Sequence, residues 1–225
     1  VDLAETPEGR EQAWAANATA VAALARVADD HGITLVHVSS DYVFDGTFDG
    51  AYDENAPFRP LGVYGQTKAA GDLAASTASR HYVVRTSWVI GEGGNFVRTM
   101  HSLAERGIDP RVVGDQFGRL TFTADIADAI AHLYESDAAY GVYNVTGSGD
   151  ARSWAEIARE VFRLGGHDPE RVTAVRTEDY FASATGPVAP RPRNSRLDLT
   201  KIIASGFTPA PAEESLRAYV AGLKG

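Results

Sequence analysis

Two short apolar runs flank a run of helix-forming residues in the first half of the chain. The run at residues 33–38 is rich in β-branched side chains and too short for a helix, so it predicts a buried strand ending at Ser39. A second run, residues 82–85, predicts another buried strand that continues to Val89. Helix formers lie between the two runs, at residues 69–75. Nearly continuous apolar strands joined by a helix predict a parallel β-α-β unit and therefore an α/β fold.

The N-terminal residues predict a helix in one or two pieces. Thr6 offers a capping hydroxyl, and Pro7 is typical of a first helical turn. The helix is predicted to reach Asp30 and to end at Gly32. Asn17 lies within it, either as a buried hydrogen-bonding side chain or as a solvent-facing one. The predicted apolar stripe consists of Val21, Leu24, Ala25 and Ala28.

Shorter elements are predicted in the rest of the chain. Apolar runs predict strands at residues 111–113, 141–145 and 172–175, and helical patterns cover residues 64–79, 96–106, 124–134, 153–164 and 213–223. Thr123 is predicted to cap one helix, and Ser153 with Glu156 forms the capping box of another. The part after about residue 150 contains more helix and loop than the first half. We therefore expect a catalytic α/β domain at residues 1–150 and a smaller, mainly substrate-binding lobe at residues 151–225.

Composition and charge argue against several classes of partner. The 225-residue chain has 44% hydrophobic and 23% charged residues, as ordinary globular proteins do. Its net charge of −9 argues against nucleic acid or an anionic membrane as the main partner, because both bind basic surfaces. It contains no cysteine, and its six histidines lack paired ligand spacing, so we predict no metal site. No apolar run reaches the roughly 20 residues of a membrane span and no signal peptide is recognised, so a cytoplasmic enzyme is the default expectation.

A strand-end hydroxyl and a tyrosine–lysine pair predict proton-transfer chemistry. Ser40 lies where the first predicted strand ends, and a long polar loop separates it from the helix that begins at Tyr64. Tyr64 and Lys68 are four residues apart, so a helix places both on one face. A free phenol has a pKa of about 10, which a neighbouring ammonium would lower towards neutrality. The Ser40 hydroxyl is then placed to hydrogen-bond the carbonyl oxygen that Tyr64 protonates.

These side chains suit the reduction of a ketone but contain no hydride donor, so we predict a cofactor such as a nicotinamide. The Tyr-x-x-x-Lys spacing is weak evidence by itself, since it also describes a solvated lysine beside a half-buried tyrosine. The Ser-Ser-Asp sequence at the strand end favours the functional interpretation. The glycine-rich segment 91–94 is interpreted as an ordinary loop at the cleft, because Phe96 occupies the third glycine position of a dinucleotide-binding loop.

Several arginines are close together in the C-terminal part of the sequence. Arg191, Arg193 and Arg196 lie beside Asn194 in an extended loop. In an acidic protein, such a basic cluster suits an anionic small molecule such as a diphosphate. A solvated loop with scattered ion pairs explains the same pattern, and both interpretations stay open.

Six motifs stand in one order along nearly the whole chain. They are residues 36–44 (VHVSSDYVF), 64–68 (YGQTK), 85–88 (RTSW), 95–96 (NF), 115–118 (DQFG) and 191–195 (RPRNS). Together they resemble the dTDP-4-dehydrorhamnose reductases, a family of extended short-chain dehydrogenase/reductases. The resemblance implies a partial doubly wound, Rossmann-like parallel sheet with a smaller C-terminal substrate-binding lobe. It also implies NADPH- or NADH-dependent reduction of dTDP-4-dehydro-L-rhamnose to dTDP-L-rhamnose, a sugar donor for cell-surface polysaccharide.

The resemblance also implies roles for individual residues of this sequence. Tyr64 would be the general acid, and Lys68 would bind the nicotinamide ribose and tune Tyr64. Ser40 matches a position that the family usually fills with threonine, and Ser39 beside it would contact the cofactor. Trp88 offers the sugar a flat apolar face and an indole donor. The implied substrate-binding residues are Ser40, Asp41, Trp88, Asn95, Arg191 and Asn194.

The sequence departs from the family in two places. Leu120 stands where the family usually has proline, which affects the local shape of a loop. Family members begin with a strand, a glycine-rich phosphate loop and further β-α units before the position that Val1 matches. We therefore expect this chain to be a fragment or processed form, or part of a parent fused behind a 3,5-epimerase. Without that segment, the strand ending at Ser39 is expected to be an unpaired apolar edge.

Other functions are compatible with the same fold. A nucleotide-sugar epimerase or 4,6-dehydratase of the same superfamily is one alternative, but a dehydratase needs an acid–base pair after the strand-end hydroxyl, and Tyr42 follows Asp41 here. A non-catalytic regulatory or binding subunit is another, against which the intact Tyr64 and Lys68 argue. The expected partner is a nucleotide-diphosphate sugar, and a homodimer is one expected assembly. The activity of this chain by itself is left open.

Overall fold

The computed structural model describes residues 1–223, and its elements follow the predicted pattern. Its helices are α1 (Pro7–Trp14), α2 (Ala20–Asp30), α3 (Val63–Ala75), α4 (Phe96–Glu105), α5 (Thr123–Glu135), α6 (Trp154–Gly165), α7 (Thr177–Phe181), α8 (Thr200–Ala204) and α9 (Ala212–Leu223). Its strands are β1 (Leu35–Ser40), β2 (His81–Thr86), β3 (Val89–Ile90), β4 (Arg111–Val113), β5 (Phe117–Gly118), β6 (Thr121–Phe122), β7 (Gly141–Asn144), β8 (Arg152–Ser153) and β9 (Thr173–Val175). A π-helical turn at Ala15–Thr19 joins α1 to α2.

The main sheet has three parallel strands in the order β1-β2-β7. The helix α3 connects β1 to β2, which confirms the predicted parallel β-α-β unit. Ser40 lies opposite Thr86, so the carboxyl ends of β1 and β2 meet at one edge of the sheet. β1 pairs with β2 on one side, and within residues 1–223 its other edge is free. Val38 in this strand is 44% exposed, as expected of an apolar edge.

Helices cover both faces of the sheet, as in a doubly wound fold. On one face, Val21 of α2 and Ala75 of α3 pack against Val83 of β2. On the other face, α5 and α8 contribute to a separate buried cluster. Its members are Tyr82, Val84, Ile126, Ala129, Leu133, Tyr143, Val145, Leu199 and Ile202.

A further hydrophobic core lies outside the main sheet and joins α4, α6 and α9. Val97 of α4, Val161 and Phe162 of α6 and Val220 of α9 are all buried there. Residues on both sides of position 150 therefore share one core, while α8 returns to the core of the sheet. The two lobes interleave along the chain, and their predicted boundary stays a prediction.

Two local predictions are wrong. The sequence pattern places Leu24 in the apolar stripe of α2, but its side chain is 56% exposed. The stripe that packs inward is narrower and consists of Val21, Ala25 and Ala28. Thr123 is the first residue of α5, whose cap position is Phe122 with no side-chain hydrogen bond.

Other local signals are confirmed. Thr6 Oγ1 accepts a hydrogen bond from the Gly9 N–H at 3.1 Å and so caps α1. Ser153 and Glu156 form the capping box that begins α6. Asn17 Nδ2 donates to Thr67 Oγ1 at 3.0 Å, which joins the π-helical turn to α3. No helix among the described residues is both long and apolar enough to cross a membrane.

Candidate active site

The three predicted catalytic residues meet in one cleft. The cleft has a volume of about 430 Å³ and lies at the carboxyl ends of β1 and β2. Tyr64 and Lys68 reach it from the first two turns of α3, and Ser40 is the last residue of β1. Its lining includes Val38, Ser39, Ser40, Asp41, Tyr64, Lys68, Thr86 and Trp88.

Lys68 is buried and held against the edge strand. Its ammonium donates a hydrogen bond to the Val38 carbonyl, with an Nζ–O distance of 2.6 Å. Burial lowers the pKa of Lys68, because the charged form loses solvation, and the Asp72 carboxylate opposes this effect. The protonation of Lys68 therefore depends on Asp72, which lies one helical turn away.

The pKa of Tyr64 is raised above its ordinary value. Burial has the largest effect, a hydrogen bond with Ser40 opposes it, and the charge of Asp41 adds to it. The expectation that Lys68 lowers the pKa of Tyr64 is therefore wrong for this structure, in which the ammonium is directed at the Val38 carbonyl. A raised pKa keeps the phenol protonated at neutral pH, which is the form that a general acid requires.

Asp41 is a buried carboxyl beside the catalytic hydroxyl. Ser40 Oγ donates to Asp41 Oδ1 at 3.1 Å and accepts from the Tyr42 N–H at 3.2 Å. Burial raises the pKa of Asp41 to about 6, although hydrogen bonds from Ser195 and Ser40 lower it. Asp41 thus changes charge close to neutral pH at the edge of the cleft, as functional carboxyls often do.

Two buried hydroxyls in the cleft have no hydrogen-bond partner among the described residues. They are Ser39 Oγ and Thr86 Oγ1, from β1 and β2. A buried hydroxyl without a partner is unfavourable, so it indicates where a bound polar group can be received. Ser39 is a predicted cofactor residue, whereas the sequence analysis missed Thr86 because it continues an apolar strand.

An aromatic cavity of about 520 Å³ adjoins the cleft. Trp88 lines both spaces, and its indole stacks on Trp154 with a centroid distance of 3.7 Å. The backbone of Trp88 has a φ of 49°, in the left-handed region that few residues other than glycine adopt. A Cβ added to Gly118 would lie 2.7 Å from the indole, so the ring can occupy this place only because residue 118 has no side chain. Trp154 was not predicted, since the capping box that precedes it carries no functional signal.

Asn95 and Arg191 line the same cavity. Asn95 Oδ1 accepts from the Arg98 N–H at 3.0 Å and so caps α4. Arg191 Nη2 lies 2.8 Å from a carboxylate oxygen of Asp2, and its guanidinium lies 4.7 Å from the centroid of the Phe181 ring. Protein partners therefore hold both side chains in place at the cavity wall.

Asn194 is placed apart from these residues. Its Nδ2 donates to the carbonyls of Phe48 and Gly50 at 2.6 and 2.7 Å, and its Oδ1 accepts from the Arg196 N–H at 3.0 Å. The side chain thus tethers a loop, and it lines neither the cleft nor the aromatic cavity. Within residues 1–223, no group of three or more metal-ligating side chains is close enough to hold a metal ion.

A parallel sheet with a strand-end hydroxyl, followed by a tyrosine and a lysine on the next helix, is the arrangement of the extended short-chain dehydrogenase/reductase class. The family model described as the RmlD substrate binding domain matches residues 1–224, and the chain belongs to this family. The resemblance found in the sequence is thereby confirmed.

Comparison with individual proteins agrees with this family. The chain is 38% identical over 223 residues to the dTDP-4-dehydrorhamnose reductase of Aggregatibacter actinomycetemcomitans, covering 92% of this chain and 74% of that protein. It is 39% identical over 191 residues to the spore coat polysaccharide biosynthesis protein SpsK of Bacillus subtilis, covering 84% and 64%. The crystal structure of the Bacillus anthracis dTDP-4-dehydrorhamnose reductase in complex with NADP has a TM-score of 0.87 at 33% identity, covering 98% and 76%. The chain thus spans 64% to 74% of the length of these two curated relatives.

Proposed function

We propose that this chain carries the catalytic and substrate-binding part of an NADPH- or NADH-dependent reductase. Its reaction is the reduction of the 4-keto group of dTDP-4-dehydro-L-rhamnose to dTDP-L-rhamnose. The observation that carries the proposal is the single cleft in which Ser40, Tyr64 and Lys68 meet. The named activity of the Aggregatibacter relative supports this substrate, and the NADP bound in the Bacillus anthracis structure supports the cofactor.

The cleft fits the reactive end of a nicotinamide cofactor. The unpartnered hydroxyls of Ser39 and Thr86 offer hydrogen bonds inside it, and the Lys68 ammonium lies in the same cleft. Lys68 would hold the ribose of the cofactor, and Ser39 of β1 would also contact the cofactor. When bound, the reduced nicotinamide supplies the hydride that reaches the sugar carbonyl carbon.

Tyr64 supplies the proton in the proposed reaction. Its phenol protonates the carbonyl oxygen as the carbon receives hydride, so one hydride and one proton convert the ketone to an alcohol. Ser40 hydrogen-bonds the same oxygen and orients it towards Tyr64. Because burial raises the pKa of Tyr64, the phenol keeps its proton at neutral pH until the carbonyl oxygen gains negative charge.

The nucleotide sugar would occupy the aromatic cavity beside the cleft. Trp88 lies between the two spaces and would place its face against the sugar ring, supported from behind by Trp154. Arg191 on the cavity wall suits the diphosphate, and Asp41 and Asn95 would form hydrogen bonds with the substrate. Asn194 would act by holding its loop rather than by touching the substrate.

A titration of this chain with NADPH, followed by nicotinamide fluorescence, tests the cofactor part of the proposal. Saturable binding, followed by oxidation of NADPH only when the 4-keto nucleotide sugar is added, would support the proposal for this chain by itself. Binding without turnover would contradict the reductase assignment and would favour a non-catalytic binding subunit. Absence of binding would indicate the catalytic and substrate-binding part of a reductase without its cofactor-binding half.

The substitution Trp88→Ala tests the assignment of the aromatic cavity. It removes the stacked ring, so we expect KM for the nucleotide sugar to rise about tenfold while NADPH affinity changes little. Trp14→Ala is the matched control, since Trp14 lies on α1 with 40% exposure. A change confined to NADPH affinity would show that Trp88 belongs to the cofactor site instead.

Several further expectations stay predictions. A homodimer is proposed as one assembly, which light scattering of the purified chain can test. The domain boundary near residue 150, a longer parent protein and a cytoplasmic location likewise stay predictions.

A further inference from the structure

A buried ion pair lies directly beside the catalytic helix. Asp72 Oδ2 accepts from Arg85 Nε at 2.9 Å, and the two side chains are 1% and 3% exposed. His37 Nε2 lies 3.5 Å from the other oxygen of Asp72. Arg85 Nη1 also donates to the Glu54 carbonyl at 2.9 Å. Arg85 on β2 therefore holds the Asp72 carboxylate, whereas His37 Nε2 and Asp72 Oδ1 form no hydrogen bond among the described residues.

Stability alone is a weak explanation for this pair. Removing two charges from water is unfavourable, and well-packed apolar residues often replace a buried ion pair with no loss of stability. The surroundings of Arg85 are already apolar, since its guanidinium lies 4.9 Å from the ring centroid of Phe58 and 5.4 Å from that of Phe44. Charges kept in such a place point to a role in the neighbouring chemistry.

The position of Asp72 connects the pair to Lys68. The two residues are four apart on the buried face of α3, so their side chains are neighbours. His37 precedes Val38, whose carbonyl accepts the hydrogen bond from the Lys68 ammonium. Burial lowers the pKa of Lys68, and Asp72 is the neighbour whose charge raises it.

We propose that Asp72 is a positioning residue that keeps Lys68 charged from one helical turn away, while Arg85 fixes the Asp72 carboxylate. The consequence of this role for catalysis rests on the proposed function, but the charge state of Lys68 can be measured without cofactor or substrate.

The other titratable groups near Lys68 are accounted for. They are Tyr64 on its own helix, His37 on β1, Arg85 on β2, Asp41 and Tyr42 in the turn after β1, Glu5, whose carboxylate accepts from the Val63 N–H, and the amino group of Val1 in the cleft. Unlike Asp41 and Glu5, Asp72 lies on the same helical face as Lys68, one turn away.

The composition of the chain makes a direct measurement feasible. Lysine occurs only at Lys68, Lys201 and Lys224. A chain labelled with ¹³C at lysine Cε gives few signals, and a Lys68→Arg variant assigns the one that belongs to Lys68. We expect the titration midpoint of Lys68 to move about one pH unit lower in Asp72→Asn, because the carboxylate that stabilises the ammonium is gone. The signal of Lys201 is the internal reference.

Asp125→Asn is the matched control, since Asp125 lies on α5 across the sheet from α3. It should leave the Lys68 midpoint unchanged, and Asp72→Glu should restore most of the shift. An unchanged midpoint in folded Asp72→Asn would overturn the proposal. If the single variant does not fold, the double variant Asp72→Leu with Arg85→Met is compared with Arg85→Met alone, because their difference isolates the charge of Asp72. Equal Lys68 midpoints in these two variants would overturn the proposal.

The two proposals fail separately. A shifted Lys68 midpoint in a chain that never oxidises NADPH would support the positioning role and contradict the reductase. Turnover with an unshifted midpoint would do the reverse. Where the chain does turn over, Asp72→Asn should move the alkaline limb of the kcat profile to lower pH, which a merely structural role would not do.

Discussion

Two groups of charged residues differ in how the fold fixes them. The catalytic cluster, Asp41, Tyr64, Lys68, Asp72 and Arg85, is carried by β2, α3 and the turn after β1. The arginine loop, Arg191, Arg193 and Arg196, lies in an extended segment without helix or strand. Members of the first group are buried or half-buried, whereas Arg193 in the second is exposed.

The two groups differ in burial because their side chains are positioned in different ways. In the catalytic cluster, helical spacing places Lys68 and Asp72 on one face of α3, and strand pairing places Arg85 in the sheet. In the arginine loop, Arg191 pairs with Asp2 and Arg196 with Asp49, from distant parts of the chain. Charges placed by secondary structure can be buried reliably, while charges in a loop depend on tertiary contacts and stay more exposed.

Tyr64→Phe should have the largest effect and tests the catalytic cluster directly. Removing the phenol proton should lower kcat by about 10² to 10⁴, with NADPH affinity nearly unchanged, because a general acid acts on the reaction and not on binding. Steady-state assay and fluorescence titration measure the two quantities. Tyr134→Phe is the control, at 60% exposure on α5. An unchanged kcat would remove Tyr64 from the acid role.

Asp41 should make stability depend on pH. Its folded pKa of about 6 exceeds the ordinary 3.8, so the folded state holds a proton that the unfolded state has released. The associated stabilisation is present below pH 4 and is lost as pH rises through 6, by about 3 kcal/mol. In urea unfolding at pH 4 and 7.5, the free energy of unfolding of the wild type relative to Asp41→Asn should be lower by about this amount at the higher pH.

Asp29 should make stability depend on pH in the opposite direction. Hydrogen bonds from Ser79 lower the pKa of Asp29, so its contribution is present at neutral pH and is lost on acidification. Asp29→Asn should therefore alter the pH dependence in the direction opposite to Asp41→Asn. Equal pH dependence in the wild type and Asp41→Asn would contradict the buried, raised state of Asp41.

Arg191 and Arg193 form a matched pair within the arginine loop. Arg191 lines the aromatic cavity, whereas Arg193 borders only the space on the other side of the loop. We expect Arg191→Met to raise KM for the nucleotide sugar about tenfold, as loss of a charge-assisted contact does. Arg193→Met should change KM less than twofold. Equal effects would mean that the loop acts through its general charge.

The smallest effect is expected at the exposed ion pair of the same loop. Arg196 Nη2 and Asp49 Oδ1 are 3.7 Å apart, and Asp49 is fully exposed. Asp49→Asn should shift the melting temperature by no more than about 1 °C, because exposed pairs contribute little. A large shift would show that loop charges carry as much stability as the buried cluster.

The same contrast shows what sequence reasoning could reach. Periodicity located the strands and helices, and spacing placed Tyr64 and Lys68 together, because both depend on local geometry. The raised pKa of Tyr64 was not predicted, since it depends on burial and on the direction of the Lys68 ammonium. Asn194 was assigned to the substrate, but its partners are loop carbonyls more than 140 residues away.

Other residues could not be placed from the sequence, because their environment also depends on tertiary contacts. Trp154 lines the aromatic cavity because α6 packs beside Trp88, and these two residues are 66 positions apart in the sequence. Thr86 looks like one more β-branched strand residue until the unpartnered state of its hydroxyl is seen. Leu24 fits a broad helical stripe, yet α2 buries only a narrow one.

The contact between Gly118 and the Trp88 ring limits how the two positions can evolve. A side chain at position 118 would enter the space of the indole, with its Cβ 2.7 Å from the ring. Position 118 is therefore free to vary only after the residue at position 88 becomes smaller. The order of mutation matters, so the two positions form an epistatic pair. A double substitution is accessible when the Trp88 ring is lost first. It is not accessible when position 118 gains a side chain first.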